Sequence, residues 1–207
     1  MIPEAQLATW SNQGGTQNSI AAHKSIRSAL EALDSPIHDR DFEIFLQGSY
    51  KNSTNIRADN FYATNNEGYD EGLEFVDAAG NYTINFPKLH IANGEARNSQ
   101  NRTNGHYKPA VRMFKNARNR ATERGFLDDA PSYFVECLLY NVPDVCFTDS
   151  MQGSYADVVN HLSAHIIDAY RCQNGQLNLF GPASTQWNTA DAHTFIAALA
   201  KLWIEWV

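Results

Sequence analysis

An apolar run from Phe42 to Gln47 breaks at Gly48-Ser49 and continues as a polar stretch through Tyr50 to Asp59. The pattern reads as a strand that ends in a tight bend, with a polar loop after it. Glycine removes the Cβ that would hold a ligand away from the backbone, so successive N–H groups and the Ser49 hydroxyl can converge on one anion. The same dipeptide also makes ordinary turns, because both residues are common turn formers. Gly48 and Ser49 are therefore candidate anion ligands whose meaning depends on the rest of the chain.

With 207 residues, 43% hydrophobic and 12% aromatic, the chain can bury a sizeable core as one domain or two closely joined ones. Met1 to Ala5 has neither a basic segment nor an apolar run, and Phe195 to Val207 is short and carries Lys201 and Glu205. A soluble protein is expected, with no membrane partner. Cys137, Cys146 and Cys172 are odd in number and lack C-x-x-C spacing, which argues against a disulfide framework or a zinc site and fits a reducing cytoplasm.

Charge is unevenly distributed. Eight basic residues from Arg97 to Arg124 face one acid, Glu123, so this segment carries +7 within a chain of net charge −7, and the remainder carries −14. A protein that binds long nucleic acid over its whole surface is normally basic overall. One positive segment in an acidic chain better suits a compact anion such as a nucleoside triphosphate, with long nucleic acid in a single groove left as the disfavoured alternative.

The pattern predicts a helix over about Ser19 to Leu33, stopped by Pro36, and a strand over Phe42 to Gln47. Asn60 to Asn81 is rich in Asn, Gly, Asp and Tyr, with a short strand at Leu73 to Val76 and a hairpin-type turn at Ala79-Gly80-Asn81 leading into Tyr82 to Phe86. From Pro87 onward the pattern is largely helical. A boundary near Pro87 separates a mixed αβ portion, 1–86, from a helical portion, 87–207.

Over Tyr107 to Arg124, Lys108, Arg112, Lys115 and Asn119 share one helical stripe, and Ala110, Phe114, Ala117 and Ala121 form an apolar face. The stripe is either a solvated basic face or an anion site. Ala130 to Tyr140 reads as a further helix with Pro131 in its first turn and Ser132 close behind, where free N–H groups and the positive end attract anions. Ser132 can equally be a capping residue and Tyr133 a core aromatic. Thr189 caps a last helix whose Phe195, Leu199, Leu202 and Trp206 share a face. His161 and His165 lack the adjacent glutamate of a zinc hydrolase and read as ordinary helix histidines.

Leu46-Gln47-Gly48-Ser49-Tyr50, followed by Thr54-Asn55-Ile56-Arg57, resembles the signature of the nucleotidyltransferases related to cGAS and oligoadenylate synthase, especially the bacterial enzymes that make cyclic oligonucleotide signals in antiphage defence. Ile84 to Gly94, with Lys108 to Asn116, resembles the family's proline-lysine segment and the long helix after it. The resemblance implies an α+β nucleotidyltransferase (polymerase-β-like) fold, a partial mixed sheet with helices, and a helical C-terminal domain. It implies transfer of NMP from an NTP to a nucleotide hydroxyl, with Mg²⁺ or Mn²⁺ as cofactor and a regulatory protein as a further partner. By the same resemblance Gly48, Ser49, Lys115 and Ser132 hold the triphosphate, Arg112 lies in the same basic stripe, and the Tyr133 ring stacks on the base.

The family binds two metal ions through a pair of aspartates after the glycine-serine bend and a third on a later strand. Here Arg57-Ala58-Asp59-Asn60 runs directly into Phe61, with no Asp-x-Asp, and Tyr69-Asp70-Glu71-Gly72 already resembles the region beyond the third aspartate. No metal ligand is assigned, and an inactive or impaired chain is expected. A block lost from the sequence of an enzyme, a natural remnant that binds nucleotides, and two halves packed anew are the three accounts. Losing middle strands exposes apolar edges and unpaired backbone, which favours the first. A catalytically dead nucleotide sensor and a helical interaction protein for an acidic partner are the alternative functions.

Overall fold

The computed structural model describes residues 1–12, 24–33, 35, 54–65, 68–77, 82–183 and 186–206. Two compact units divide the chain, one of Met1–Asn12 with Lys51–Val207 and the other of Gln13–Tyr50. The smaller unit contains helix α2 over 24–30, followed by an Arg27–Glu31 ion pair of 3.2 Å at i, i+4. The predicted strand at Phe42 to Gln47, with Gly48 and Ser49, lies outside the described residues.

The larger unit opens on α1 (Glu4–Ser11), which the sequence reading missed. It is short and weakly amphipathic, and its signals are Pro3 at the cap and Glu4 in the first turn. Tertiary bonds hold it. The Glu4 carboxylate accepts from Met151 N and Gln152 N, both at 2.7 Å, so it neutralises the open N–H groups at the start of a distant helix.

Three antiparallel strands follow in the order β1 (Thr54–Asn65), β2 (Gly68–Asp77) and β3 (Tyr82–Asn85). The predicted strands at Leu73 to Val76 and from Tyr82 are present within β2 and as β3, but the polar stretch before them is corrected. Thr54 to Asn65 is a strand rather than a loop, because its backbone pairs along β2 and ladder pairing overrides the weak strand preference of Asn and Asp. The pairing Asp59↔Glu74, Asn60↔Leu73 and Phe61↔Gly72 is continuous across the point where the acidic pair is missing, and the register shifts just before it, between Asn55 and Asp59. Gly72 permits this sheet to close on the next helix, since a Cβ there would stand 2.8 Å from the Phe86 ring.

The helical part comprises α3 (Pro87–Asn98), α4 (Tyr107–Glu123), α5 (Ser132–Tyr140), α6 (Met151–Ala164) and α7 (Thr189–Ile204). Helix α4 is central and touches α1, α3, α5, α6 and α7. Its buried face is Tyr107, Ala110, Val111, Met113, Phe114, Ala117 and Ala121, where the alanines let neighbouring helices approach. Phe114, Tyr155 and Trp203 stack in series, with centroids 4.9 and 5.1 Å apart, and tie α4 to α6 and α7. The cap of α7 is Asn188, whose side chain accepts from Ala190 N at 2.7 Å, and not Thr189. Phe195, Leu199 and Leu202 are buried as expected. His161 and His165 stack on each other, with His161 Nε2 3.2 Å from the Tyr170 hydroxyl.

Arg97 anchors the connection after α5. Buried to 5% exposure, it donates to the carbonyls of Tyr140 and Val142, pairs with Asp144 at 2.9 Å, and lies 5.1 to 5.4 Å from the ring centres of Tyr107, Tyr140 and Phe147. Among the described residues no helix is long and apolar enough to cross a membrane.

Candidate functional site

The amphipathic periodicity of α4 buries its alanine face and leaves Lys115 half-buried at the seam with α5. There the Lys115 ammonium meets the Glu136 carboxylate, with Nζ to Oε2 at 2.7 Å. The other oxygen, Oε1, accepts from His90 Nε2 at 3.1 Å, so α3, α4 and α5 each contribute one member of a cluster. Burial by itself pushes the Glu136 carboxyl up. The hydrogen bond from His90, the Lys115 charge and the Lys115 hydrogen bond together outweigh that and hold it at about 2.

Tyr133 belongs to the same seam. Its ring stacks on His90 with centroids 5.4 Å apart, and its hydroxyl accepts from Asn174 Nδ2 at 3.4 Å. Burial raises the Tyr133 phenol, which stays neutral at physiological pH. Behind the stack, buried Gln173 donates from Nε2 to the His90 carbonyl at 2.8 Å and accepts at Oε1 from the Tyr107 hydroxyl at 2.6 Å. This network fixes the first turn of α3 against α4, and Gly94 makes room for it, because a Cβ there would sit 2.7 Å from Gln173 Nε2. Among the described residues, His90 Nδ1 is buried without a hydrogen-bond partner.

Ser132 stands at the first position of α5. Its hydroxyl makes no capping bond to the helix and accepts instead from Arg118 Nη1 at 3.1 Å. Arg118 also donates to the Ala130 carbonyl and to Asn119 Oδ1. Lys115 and Arg118 are three residues apart on α4, so two cations face α5 from one helical face, Arg118 at its start and Lys115 one turn further along, at Glu136.

Lys115 at Glu136, Ser132 at Arg118 and Tyr133 against His90 thus all lie along the α4–α5 seam, each with its own partner. Arg112 is engaged elsewhere, its Nε donating to the Ser11 carbonyl at 2.5 Å, while Asn116 Nδ2 donates to the Trp10 carbonyl at 2.8 Å. Both satisfy carbonyls at the end of α1. Lys108 pairs with Glu95. The predicted stripe is therefore three separately paired cations rather than a solvated basic face. Gly48 and Ser49 lie outside the described residues.

Sequence reasoning missed His90, Glu136, Arg118 and the pair Gln173 and Asn174. Glu136 carried a signal, as the single charge in the apolar helix Ser132–Tyr140, where a buried acid implies a partner. No comparable signal marked Gln173, whose contacts lie 66 and 83 residues away. For metal binding, the described residues include no group of three or more His, Cys, Asp or Glu side chains placed to hold an ion, so no step through Mg²⁺ or Mn²⁺ is derived.

Comparison with known proteins matches residues 92–204, more than half of the chain, to the cGAS/DncV-like nucleotidyltransferase C-terminal helical domain. The cyclic UMP-AMP synthase of Rhodothermus marinus is 33% identical over 288 aligned positions that span 99% of both chains. Those 288 positions exceed the 207 residues of this chain by 81, so a sizeable part of the relative has no counterpart here. The cyclic nucleotide synthase CdnE01 of Staphylococcus haemolyticus is 40% identical over 67% of this chain, which spans only 47% of that relative. The structure of Rhodothermus marinus CdnE c-UMP-AMP synthase with Apcpp and Upnpp superposes with a TM-score of 0.81 at 31% identity, covering 100% of this chain and 98% of the other. Elizabethkingia meningoseptica CdnE, at 20% identity and a TM-score of 0.81 with full coverage of both chains, shares the fold. The fold is accordingly α+β of the CdnE nucleotidyltransferase type, and the chain belongs to the cGAS/DncV-like nucleotidyltransferases, the family of the cyclic nucleotide synthases.

Proposed function

We propose that this chain binds nucleoside triphosphates as a cyclic-oligonucleotide synthase does, and that the polypeptide of 207 residues does not turn them over. On this reading Lys115 and Ser132 hold the triphosphate, with Tyr133 under the base. A portion over 1–86 carries the Gly48-Ser49 motif, and a helical domain over 87–207 carries the cations. In the intact enzyme type the chemistry is transfer of NMP from an NTP to a nucleotide hydroxyl, supported by Mg²⁺ or Mn²⁺, in cytoplasmic antiviral signalling.

The observation that carries this reading is the placement of Lys115, Ser132 and Tyr133 along one seam between α4 and α5, in a chain aligned end to end with a cyclic UMP-AMP synthase. The structure of that relative holds Apcpp and Upnpp, which supports ATP-like and UTP-like ligands here. The absent Asp-x-Asp after Arg57 argues for binding without turnover and favours a catalytically dead nucleotide sensor as the second reading. Calorimetry with ATP and UTP, paired with radiolabelled NTP turnover in Mg²⁺ or Mn²⁺, tests both. Binding is expected, with Lys115→Ala and Ser49→Ala each weakening it about tenfold or more, as for loss of one charge-assisted bond. Unchanged affinity in both variants refutes the pocket, and turnover by the wild-type chain refutes the loss of catalysis.

A further inference from the structure

The ion pair at the α4–α5 seam places an anion of the protein where the reading above places an anion of the ligand. Lys115 Nζ lies 2.7 Å from Glu136 Oε2, so the ammonium already has a counter-ion with which a phosphate must compete. The two members of this pair differ in mobility. Lysine carries its charge on a flexible four-carbon stem. The Glu136 carboxylate is held on its other oxygen by His90 at 3.1 Å. His90 is fixed in turn by its stack on Tyr133 and by the Gln173 bond to its carbonyl. When the ammonium swings away, the carboxylate stays behind, still hydrogen-bonded.

We propose that Glu136 is a positioning residue for Lys115, a fixed counter-ion that stores the ammonium in the free protein and yields it to the incoming polyphosphate. Phosphate binding is then an exchange of one anion for another at the same cation. The stored position keeps the lysine at the α4–α5 seam, one turn of α4 from Arg118, which holds Ser132. It also sets the site against adventitious anions, which must first displace a carboxylate that is already bonded. Exchange removes the attraction between Lys115 and Glu136 and leaves the carboxylate facing a polyanion, so the native site binds more weakly than its cations alone allow. This inference rests on the assignment of Lys115 as a triphosphate ligand.

The test is calorimetry with ATP, UTP and inorganic tripolyphosphate on the wild-type chain, Glu136→Gln, Lys115→Ala and the double variant. Glu136→Gln keeps a side chain of the same shape and is expected to bind nucleotide about tenfold more tightly, while its thermal stability falls. A purely structural role moves affinity and stability downward together, so the opposite signs separate the two. In the Lys115→Ala background the same change is expected to matter about twofold at most, because the competition has no cation to act on. Equal or weaker binding by a folded Glu136→Gln overturns the proposal. If that variant does not fold, Glu136→Asp decides, since its shorter reach loosens the pair; tighter binding supports the exchange and unchanged binding overturns it. Tighter tripolyphosphate binding by Glu136→Gln, with no binding of ATP or UTP to any variant, sustains the exchange and refutes the nucleotide reading. Nucleotide binding that Glu136→Gln leaves unchanged does the reverse, and no binding of any probe to any variant refutes both.

Discussion

Replacing Glu136 with glutamine is expected to make the stability of this protein less dependent on acid, by an amount that the cluster sets. A carboxyl held at about 2 in the fold against an ordinary value of 4.5 binds fewer protons folded than unfolded between those limits. Stability therefore rises with pH through that window. The contribution is fully present above about pH 5 and is lost as pH falls through 2. At 1.36 kcal/mol for each tenfold change, the total is about 3 kcal/mol, roughly a fifth to three fifths of what holds a typical domain together. Glu136 is 25% exposed and Lys115 26%, so solvent screens the pair only in part. The assay is urea unfolding of the wild type and Glu136→Gln from pH 2 to pH 7. The wild type should be more stable by about 3 kcal/mol at pH 6, with more than half of that margin gone near pH 3 and little left at pH 2. The other carboxylates titrate alike in both proteins and cancel. A margin that stays constant over this range refutes the depressed carboxyl, and with it the view that His90 and Lys115 overcome its burial.

Two further predictions concern the frame around the site. Arg97→Met should lower stability by about 3–5 kcal/mol, because the Tyr140 and Val142 carbonyls lose their donor and Asp144 loses its buried partner. A melting temperature within a degree of wild type would contradict that assignment. Glu4→Ala should cost about 1 kcal/mol by uncovering the N–H groups of Met151 and Gln152. Proteolysis or hydrogen exchange confined to α1 and the start of α6 should report it, and unchanged protection at both places would count against the cap.

The helical half is legible in the sequence because its signals are local. For α4, the alanine and aromatic spacing over Tyr107 to Arg124 marks the helix to within one residue of the observed Tyr107–Glu123. Lys115, Ser132 and Tyr133 are legible as candidates from that periodicity and from the motif strings around them. Arg112 shares the stripe on paper, but the neighbouring α1 takes up its guanidinium. Helix α1 itself has too few residues and too little amphipathicity to announce itself, and it persists through bonds to α4 and α6. Strand β1 reads as a loop because Asn, Asp and Thr dominate it, and only the partner strand β2 makes it extended.

The sequence alone determined the helical character of the chain after Pro87, the central helix with its cations, and the lack of the acidic pair after Arg57, since each is written in residue type and short-range spacing. Tertiary structure decided what those cations do in the free protein. His90, Lys115 and Glu136 come from three helices, with 46 residues between the first and the last. No period in a linear chain encodes which carboxylate an ammonium will meet, because that choice depends on how the helices pack and on which charges the packing removes from water.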